Sequence, residues 1–393
     1  MNGRVIAFRT DASFDIGTGH VMRCLALADA LRNKGAVCHF VCRSQPGDMI
    51  QLVQRKGYEV RALPEPDVTS SGEGDFSGPA HAAWLRTDQG TDALETREVL
   101  EELNVDWLVV DHYALDARWE AKQRGVASRL MVIDDLADRR HDCDLLLDHN
   151  LGRRASSYTD LVPPECKLLT GERYALLRPE FAELRDASLL RRDSRRLRSL
   201  LVSMGGIDKN NDTSAVLTAL IGCGIPSDCK IVVVLGSGCP WQAQVQQLAA
   251  TLQWEVRVLN DTHDMAKLMS RSDLAIGAGG VTGLERVCLG LPSVMLETAD
   301  NQKNALAEFE KRGLAITAPG FQHLARSEKI STVERLVRKA VSNDSIAGPI
   351  DSGCDGLGSR RVIETLASMD ADAISSSRPG ASLMPDRSGT DAG

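Results

Sequence analysis

A glycine-rich turn followed by a histidine and an arginine is the first stretch of the chain with residue types that could do chemistry. Gly17 and Gly19 let the backbone turn tightly and approach a ligand closely, and His20 comes directly after them. Apolar residues at helical spacing from 21 to 31 place His20 at a helix start, where the helix dipole disfavours an imidazolium. Arg23, three residues on, shares the same face. We therefore predict a proton acceptor and a cation in one cleft.

The same succession of strand, glycine loop and helix also opens dinucleotide-binding domains. Their fingerprint has a third glycine three residues after the second, and Met22 stands there instead. An acidic residue should also close the second strand, but residues 36–42 lead into Arg43. We therefore expect no NAD site. Alternatively, His20 could be a polar residue that only packs at a helix start. Its position between two glycines and an arginine favours a catalytic role over this structural one.

Acidic and aromatic side chains follow two further apolar strands in the same half of the chain. Residues 106–110 predict a strand that leads into Asp111 and Tyr113, and a second predicted strand leads into Asp134 and Asp135. Ligands of open parallel sheets collect at the carboxyl ends of the strands, so we expect these side chains beside the histidine. Helix capping or solvation is the alternative role for the three aspartates.

Two glycine-rich loops in the second half each stand between a predicted strand and a helix. They contain Gly205 with Gly206, and Gly279 with Gly280. Backbone N–H groups at such helix starts bind phosphate without a basic patch, so we predict a pyrophosphate between the two loops. Neither loop has the spacing of a P-loop, which argues against hydrolysis of a nucleoside triphosphate.

Thr282 and Glu285 follow the second of these loops at a spacing that admits two roles. They could form a capping box, in which both side chains bond to the helix start. Alternatively, the Glu285 carboxylate could accept hydrogen bonds from the two vicinal hydroxyls of a ribose. The spacing leaves both roles open.

Alternating strand and helix patterns occur twice, which predicts an α/β protein with two doubly wound, Rossmann-like domains facing a central cleft. We assign residues 1–150 to an N-terminal domain with the histidine loop, 151–198 to an interdomain connection and 199–369 to a C-terminal domain. Residues 64–90, rich in Pro, Gly, Ser and Asp, predict a long surface loop or mobile insert. Residues 370–393 predict a disordered tail.

The 393 residues carry a formal net charge of −8, and 25% of them are charged, as in an ordinary soluble globular protein. We therefore expect no nucleic-acid or membrane partner and a cytoplasmic location. The ten cysteines include no CxxC pair. The nearest approach to a metal cluster, residues 141–144, is better explained as the start of a buried strand, so we expect no metal. The oligomeric state stays open.

Several longer motifs recur in the order found in one family of nucleotide-sugar enzymes. They are residues 11–23, 110–113, 133–139, 147–150, 174–181, 203–206 and 279–285. Through them the chain resembles the PseG family, the UDP-2,4-diacetamido-2,4,6-trideoxy-β-L-altropyranose hydrolases of pseudaminic acid synthesis. The resemblance covers roughly residues 3–345 and implies the GT-B architecture. The insert at 64–90 and the tail are longer than the family pattern requires.

The resemblance implies that His20 is the general base that deprotonates water for attack on the anomeric carbon, with UDP departing and no cofactor. It places at the sugar Gly17, Gly19, Arg23, Tyr113 and Asn301. It places at UDP the residues Gly205, Gly206, Gly279, Gly280 and Thr282, with Glu285 at the ribose.

Two other functions fit the same residues. A glycosyltransferase of the same architecture would pass the sugar to an acceptor hydroxyl. A lipid-linked acceptor would require an apolar, basic-rimmed surface, and we find no sign of one in a chain with 4% aromatic residues. A non-catalytic UDP-sugar-binding module would bind without turnover, and substitution of His20 would leave its behaviour unchanged.

Overall fold

A computed structural model describes residues 1–65, 78–192, 196–236, 238–260, 262, 264–342 and 352–376. Its first sheet consists of β1 (Val5–Thr10), β2 (Val37–Arg43), β3 (Glu59–Leu63), β4 (Trp107–Asp111), β5 (Arg129–Ile133), β6 (Leu145–Asp148) and β7 (Lys167–Thr170). The helices between these strands are α1 (Gly19–Arg32), α2 (Ile50–Arg55), α3 (Gln89–Leu103) and α4 (Ala117–Gln123). The strands are parallel and run in the order β3-β2-β1-β4-β5-β6-β7.

The second sheet is built in the same way. Its strands are β8 (Ser199–Ser203), β9 (Lys230–Leu235), β10 (Glu255–Asn260), β11 (Leu274–Ala278), β12 (Ser293–Leu296) and β13 (Ile316–Ala318), in the order β10-β9-β8-β11-β12-β13. The remaining helices are α5 (Pro179–Arg191), α6 (Asp212–Leu220), α7 (Gln242–Thr251), α8 (Met265–Arg271), α9 (Val281–Cys288), α10 (Lys303–Lys311), α11 (Arg326–Ser342) and α12 (Gly358–Ser376).

The predicted α/β class with two doubly wound domains is confirmed. The central strands are buried on both faces, as β4 and β11 show along their whole length, and this is the pattern of parallel sheets covered by helices. The strand order reverses between β1 and β4 in the first sheet and between β8 and β11 in the second. Such switch points open crevices at the carboxyl ends of the strands. The predicted histidine loop follows β1, and the two predicted phosphate loops follow β8 and β11.

The segment predicted as an interdomain connection, residues 151–198, is corrected by the structure. Its strand β7 pairs with β6 and completes the first sheet, with Leu169 buried in the core of that sheet. Its helix α5 packs against α8 and α9, and Phe181 is buried in the core of the second domain. Both elements carry apolar side chains that need a core, so the segment divides between the two domains.

The end of the chain also differs from our prediction. Helix α12 returns to the first sheet, where Val362, Ile363 and Leu366 are buried in its core. The helix continues to Ser376, so residues 370–376 are not the disordered tail that we predicted. Asp370 accepts a hydrogen bond from Trp107 Nε1 at 2.9 Å, which ties this turn to β4. Residues 377–393 lie outside the described part.

The predicted insert at 64–90 is described only in part, since residues 66–77 lie outside the described range. After this gap the chain forms a short 3-10 helix, Ala82–Leu85, and then enters α3 at Gln89. None of the described helices combines the length and apolar composition needed to cross a lipid bilayer.

Candidate active site

His20 and Asp111 form a hydrogen-bonded pair where the strand order of the first sheet reverses. His20 lies in the first turn of α1, and Asp111 is the last residue of β4. His20 Nδ1 and Asp111 Oδ1 are 2.6 Å apart, and the Asp111 side chain is fully buried. An ionised carboxylate can only accept, so Nδ1 carries a proton, and the lone pair of the neutral ring is then on Nε2. Within the described residues no hydrogen bond occupies Nε2, and the ring is set to accept a proton there.

Arg23 fixes the same carboxylate from the other side. Its Nε and Nη2 atoms donate to the two oxygens of Asp111, each at 2.6 Å, and its Nη1 atom donates to Asp135 at 2.8 Å. Burial by itself would raise the pKa of Asp111, but the charge of Arg23 and the hydrogen bonds from Arg23 and His20 hold it well below its usual range. Asp111 is therefore an anion at neutral pH. Arg23 is 3% exposed and engaged with two carboxylates, so it positions the pair and does not offer a free cation to a ligand.

The third predicted carboxylate, Asp134, stabilises the loop after β5. It accepts hydrogen bonds from Ala137 N at 2.9 Å, from Arg139 Nη1 at 2.7 Å and from Tyr158 Oη at 2.8 Å. The aspartates at the strand ends are thus neither helix caps nor solvated groups, because all three are held by internal partners.

Four side-chain rings pack together at this site, those of His20, His81, Trp84 and Tyr113. Tyr113 lies edge-on to His20 at 4.5 Å between centroids, and Trp84 stacks on Tyr113 at 5.5 Å. His81 contacts both Trp84 and Tyr113, at 4.5 and 5.2 Å. Tyr113 is only 3% exposed, whereas Trp84 and His81 are half-buried and form the outer layer.

Trp84 and His81 are site residues that sequence reasoning missed. Both lie in or beside the 3-10 helix that we had predicted only as part of an irregular insert. One signal could have found them: a chain with few aromatic residues places a histidine and a tryptophan three positions apart in this segment.

The loop that carries His20 is open toward the cleft. Gly17 has φ +81°, a conformation that favours glycine, and its N–H donates to Ser13 O at 2.8 Å. Thr18 is the N-cap of α1, but its hydroxyl makes no capping bond. A Cβ atom at Gly17 or Gly19 would meet nothing within 4 Å, so space for a ligand remains over this loop.

The two predicted phosphate loops differ in what they offer. Gly205 has φ +87°, and Gly206 approaches Thr18 of the first domain. The start of α6, however, is already capped, because the Asp208 carboxylate accepts from Asp212 N at 2.7 Å and from Thr213 N at 3.1 Å. This loop therefore presents only its own peptide groups.

Helix α9 begins without a side-chain cap. Its N-cap is Gly280, and Thr282 lies inside the helix with its hydroxyl 3.4 Å from Ala278 O. The capping box that we considered for Thr282 and Glu285 is therefore not formed. Within the described residues the N–H groups of Val281 and Thr282 have no acceptor, so this helix start is free to bind an anion.

The residues on either side of this helix start have different roles. Gly279 has a packing role, because a Cβ atom there would lie 2.5 Å from Leu306 Cδ2. Glu285 is left without a hydrogen-bond donor among the described residues. Burial raises the pKa of its carboxyl group to about 7. A carboxyl group with a raised pKa and no hydrogen-bond donor among the described residues thus lies one turn into the helix whose start is free.

Asn301 is exposed in a 3-10 helix, Asp300–Gln302, after β12. Its neighbour Gln302 lies near Gly280, since a Cβ at Gly280 would be 3.8 Å from Gln302 Nε2. Asn301 therefore belongs to the rim of the second domain. Among the contacts of the described residues, none joins it to Tyr113 or His20.

The residues considered for a metal are engaged elsewhere. His141 Nδ1 lies 2.7 Å from Glu120 Oε1, and Arg124 pairs with both Asp142 and Asp144 at 2.8 Å. Across the described residues, no group of three His, Cys, Asp or Glu side chains is arranged to hold a metal ion.

Two parallel sheets with their loops meeting at a cleft define the GT-B class of α/β proteins. MurG of Acinetobacter baumannii superimposes with a TM-score of 0.61 at 15% identity, over 93% of this chain and 100% of that one. UDP-GlcNAc 2-epimerase of Neisseria meningitidis does so with a TM-score of 0.52 at 13% identity, over 93% and 100%. At these identities the likeness shows the fold alone.

Sequence relatives confirm the resemblance to the PseG family. The chain is 25% identical over 314 residues to the UDP-2,4-diacetamido-2,4,6-trideoxy-β-L-altropyranose hydrolase of Campylobacter jejuni, over 79% of this chain and 98% of that protein. It is 24% identical over 316 residues to an uncharacterized protein of Methanocaldococcus jannaschii, over 78% of this chain. It is 30% identical over 150 residues, 38% of this chain, to the spore coat polysaccharide biosynthesis protein SpsG of Bacillus subtilis.

These alignments span 58% of the archaeal protein and 43% of SpsG. No protein-family model matches the chain.

Proposed function

We propose that this protein hydrolyses a UDP-linked amino sugar, converting UDP-2,4-diacetamido-2,4,6-trideoxy-β-L-altropyranose and water to UDP and the free sugar. The observation that carries the proposal is the His20–Asp111 pair, with Nδ1 bound at 2.6 Å and Nε2 unoccupied. The similarity to the Campylobacter hydrolase supplies the substrate, because that protein's name specifies it.

In the proposed reaction, His20 Nε2 removes a proton from a water molecule as the water oxygen attacks the anomeric carbon. The bond from that carbon to the UDP oxygen breaks, its electron pair leaves with UDP, and the anomeric configuration inverts. The buried anion Asp111 stabilises the imidazolium that forms, and the proton then returns to solvent. General-base assistance of this kind is typically worth about 100- to 10,000-fold in rate.

The second domain is suited to hold the leaving group. The free N–H groups at the start of α9 and the peptide groups of Gly205 and Gly206 can bind the diphosphate, and the Glu285 carboxyl can accept from the ribose. A UDP leaving group needs little protonation, so these donors can stabilise its charge. Asn301 and the outer rings would border the sugar.

The test is release of UDP from this substrate without an added acceptor, with His20→Ala as the variant. We expect UDP release by the parent protein and a loss of at least about 100-fold in the variant. His39→Ala, at a histidine that pairs with Glu59 between β2 and β3, serves as the matched control and should retain activity.

Isotopically labelled water separates the possible outcomes. Label in the free sugar and none in UDP would show attack at the anomeric carbon. Release of UDP only after an acceptor sugar or lipid is supplied would replace the hydrolase with a glycosyltransferase. Equal release by the parent protein and His20→Ala would remove His20 from the mechanism.

A further inference from the structure

Arg286, in helix α9, is a buried cation without an ion pair. The residue is only 2% exposed. Within the described residues no carboxylate oxygen lies within the 4.0 Å that defines an ion pair with its guanidinium. The nearest acidic influence is Glu285, its neighbour in the chain. An unpaired buried charge is costly, so its retention calls for an explanation.

The contacts of the guanidinium are with neutral groups. Nε donates to Thr282 O at 3.0 Å, and Nη2 donates to Thr282 Oγ1 at 3.1 Å and to Ala278 O. The remaining nitrogen, Nη1, is buried and has no hydrogen-bond partner. These carbonyls partly satisfy the donors of Arg286, but they do not neutralise its charge.

Nη1 lies against the ends of two neighbouring strands of the second sheet. A Cβ atom at Gly277 would be 3.3 Å from Nη1 and would also collide with the Ser203 carbonyl. Gly277 and Ser203 are paired at the ends of β11 and β8. The guanidinium therefore lies at the seam between the ends of these strands, from which the chain continues into the loops that contain Gly205–Gly206 and Gly279–Gly280.

Charge at this seam stays positive at neutral pH. Burial lowers the pKa of Arg286 only to about 10, so the guanidinium remains protonated. Glu285 compensates this charge only in part, because burial raises the pKa of that carboxyl group to about 7. The uncapped start of α9 adds the positive end of a helix dipole at the same place.

We infer that Arg286 is the counter-charge for the diphosphate group of the proposed UDP-linked ligand, held between the two glycine loops. This inference rests on the proposed function and assigns a residue that neither the motifs nor the proposed mechanism used. Arg286 acts as a positioning residue, through its charge across the loop peptides. The same charge stabilises the anion left on UDP when the anomeric bond breaks.

The experiment compares Arg286→Met and Arg286→Lys with the parent protein in calorimetric titrations with UDP, uridine and inorganic pyrophosphate. Arg338→Met, at a surface arginine paired with Glu334, is the matched control. We expect Arg286→Met to weaken UDP binding at least about tenfold, as removal of one member of a buried charge pair does. Uridine affinity should change less than about twofold, and Arg286→Lys should recover most of the loss.

A thermal unfolding measurement without ligand separates this role from a structural one. Removal of an uncompensated buried charge should leave the unfolding midpoint of Arg286→Met unchanged or higher. The inference would be overturned if Arg286→Met bound UDP within about twofold of the parent protein. It would also be overturned if the variant lost stability, uridine binding and UDP binding in parallel.

The two proposals can also fail separately. Suppose that the parent protein binds pyrophosphate but not UDP, and that Arg286→Met abolishes pyrophosphate binding. The role of Arg286 would then stand, and the proposed nucleotide-sugar function would be wrong. A parent protein that binds neither ligand would overturn both.

Discussion

Thr18 and Gly206 meet across the cleft: a Cβ atom at residue 206 would lie 2.7 Å from Thr18 Oγ1 and 3.1 Å from its Cγ2. Thr18 stands at the N-cap position of the helix that carries His20, and Gly206 belongs to the loop after β8. The loop that holds the proposed base and a loop proposed to hold phosphate are therefore in contact. A side chain at residue 206 would therefore press against Thr18.

Gly206→Ala tests this contact. The added methyl group would push the two loops apart, so we expect kcat/KM for UDP release to fall about tenfold, since small displacements of positioned groups are costly. The unfolding free energy should change little, because Gly206 does not have a positive φ and the atoms nearest to the added methyl group belong to the side chain of Thr18. Thr18→Ala in the same chain should restore much of the activity, since its own hydroxyl makes no capping bond. A double variant no better than Gly206→Ala would contradict this explanation.

Asp111→Asn tests the orientation of His20. The substitution keeps the shape but removes the charge that holds Nδ1–H and pairs with Arg23, so we expect UDP release to fall about 100- to 10,000-fold. Asp92→Asn is the matched control, because Asp92 is equally buried and pairs with Arg9 and Arg43 at 2.7 and 2.6 Å. Similar losses of activity per folded molecule in both variants would argue against a specific role for Asp111.

Glu285→Gln tests the raised pKa of that carboxyl group. The folded protein holds its proton up to about pH 7, against an ordinary value of 4.5, so the stability it contributes is full below pH 4.5 and is lost as pH rises through 7. Glutamine is neutral throughout. We therefore expect Glu285→Gln to be more stable than the parent by about 1–3 kcal/mol at pH 8 and equal to it near pH 4 in urea unfolding.

Glu255→Gln, at an exposed glutamate of β10, provides the comparison for that measurement. If Glu285→Gln and Glu255→Gln change the unfolding free energy equally between pH 4 and pH 8, burial of Glu285 does not cause the pH dependence.

Trp84→Ala tests whether the outer ring borders the sugar. Loss of a stacked ring should raise the KM for the UDP-sugar about five- to tenfold, while inhibition by UDP alone stays within about twofold. Trp84→Phe keeps a ring and should lie close to the parent. Leu94→Ala, at a residue of α3 that is 62% exposed, is the surface control. Equal effects on the UDP-sugar and on UDP would place Trp84 away from the sugar.

Leu366→Ala tests the return of helix α12 to the first sheet. Leu366 is fully buried there, so its truncation should lower the unfolding free energy by about 2–4 kcal/mol. Arg360→Ala on the exposed side of the same helix should have little effect. Urea unfolding of the two variants is the measurement, and a neutral result for Leu366→Ala would show that the helix does not need this contact.

The sequence by itself determined the elements and the glycine turns of this protein. Strand and helix patterns depend on the local period of apolar residues, so they predicted two doubly wound domains and placed His20 just inside a helix after a glycine loop. The motif order was enough to identify the PseG resemblance that the relatives confirm.

Only the tertiary structure decided which partners these residues have. His20 meets Asp111 across 91 positions of the chain, and no local pattern encodes that pairing. Trp84 reaches the site because the segment before α3 folds back over Tyr113, and α12 leaves the second domain because its apolar face completes the first core. The spacing of Thr282 and Glu285 fits a capping box, yet Gly280 is the N-cap of α9 and both residues lie inside the helix. Contacts between distant segments depend on how whole sheets and helices pack, and packing is a property of the assembled fold.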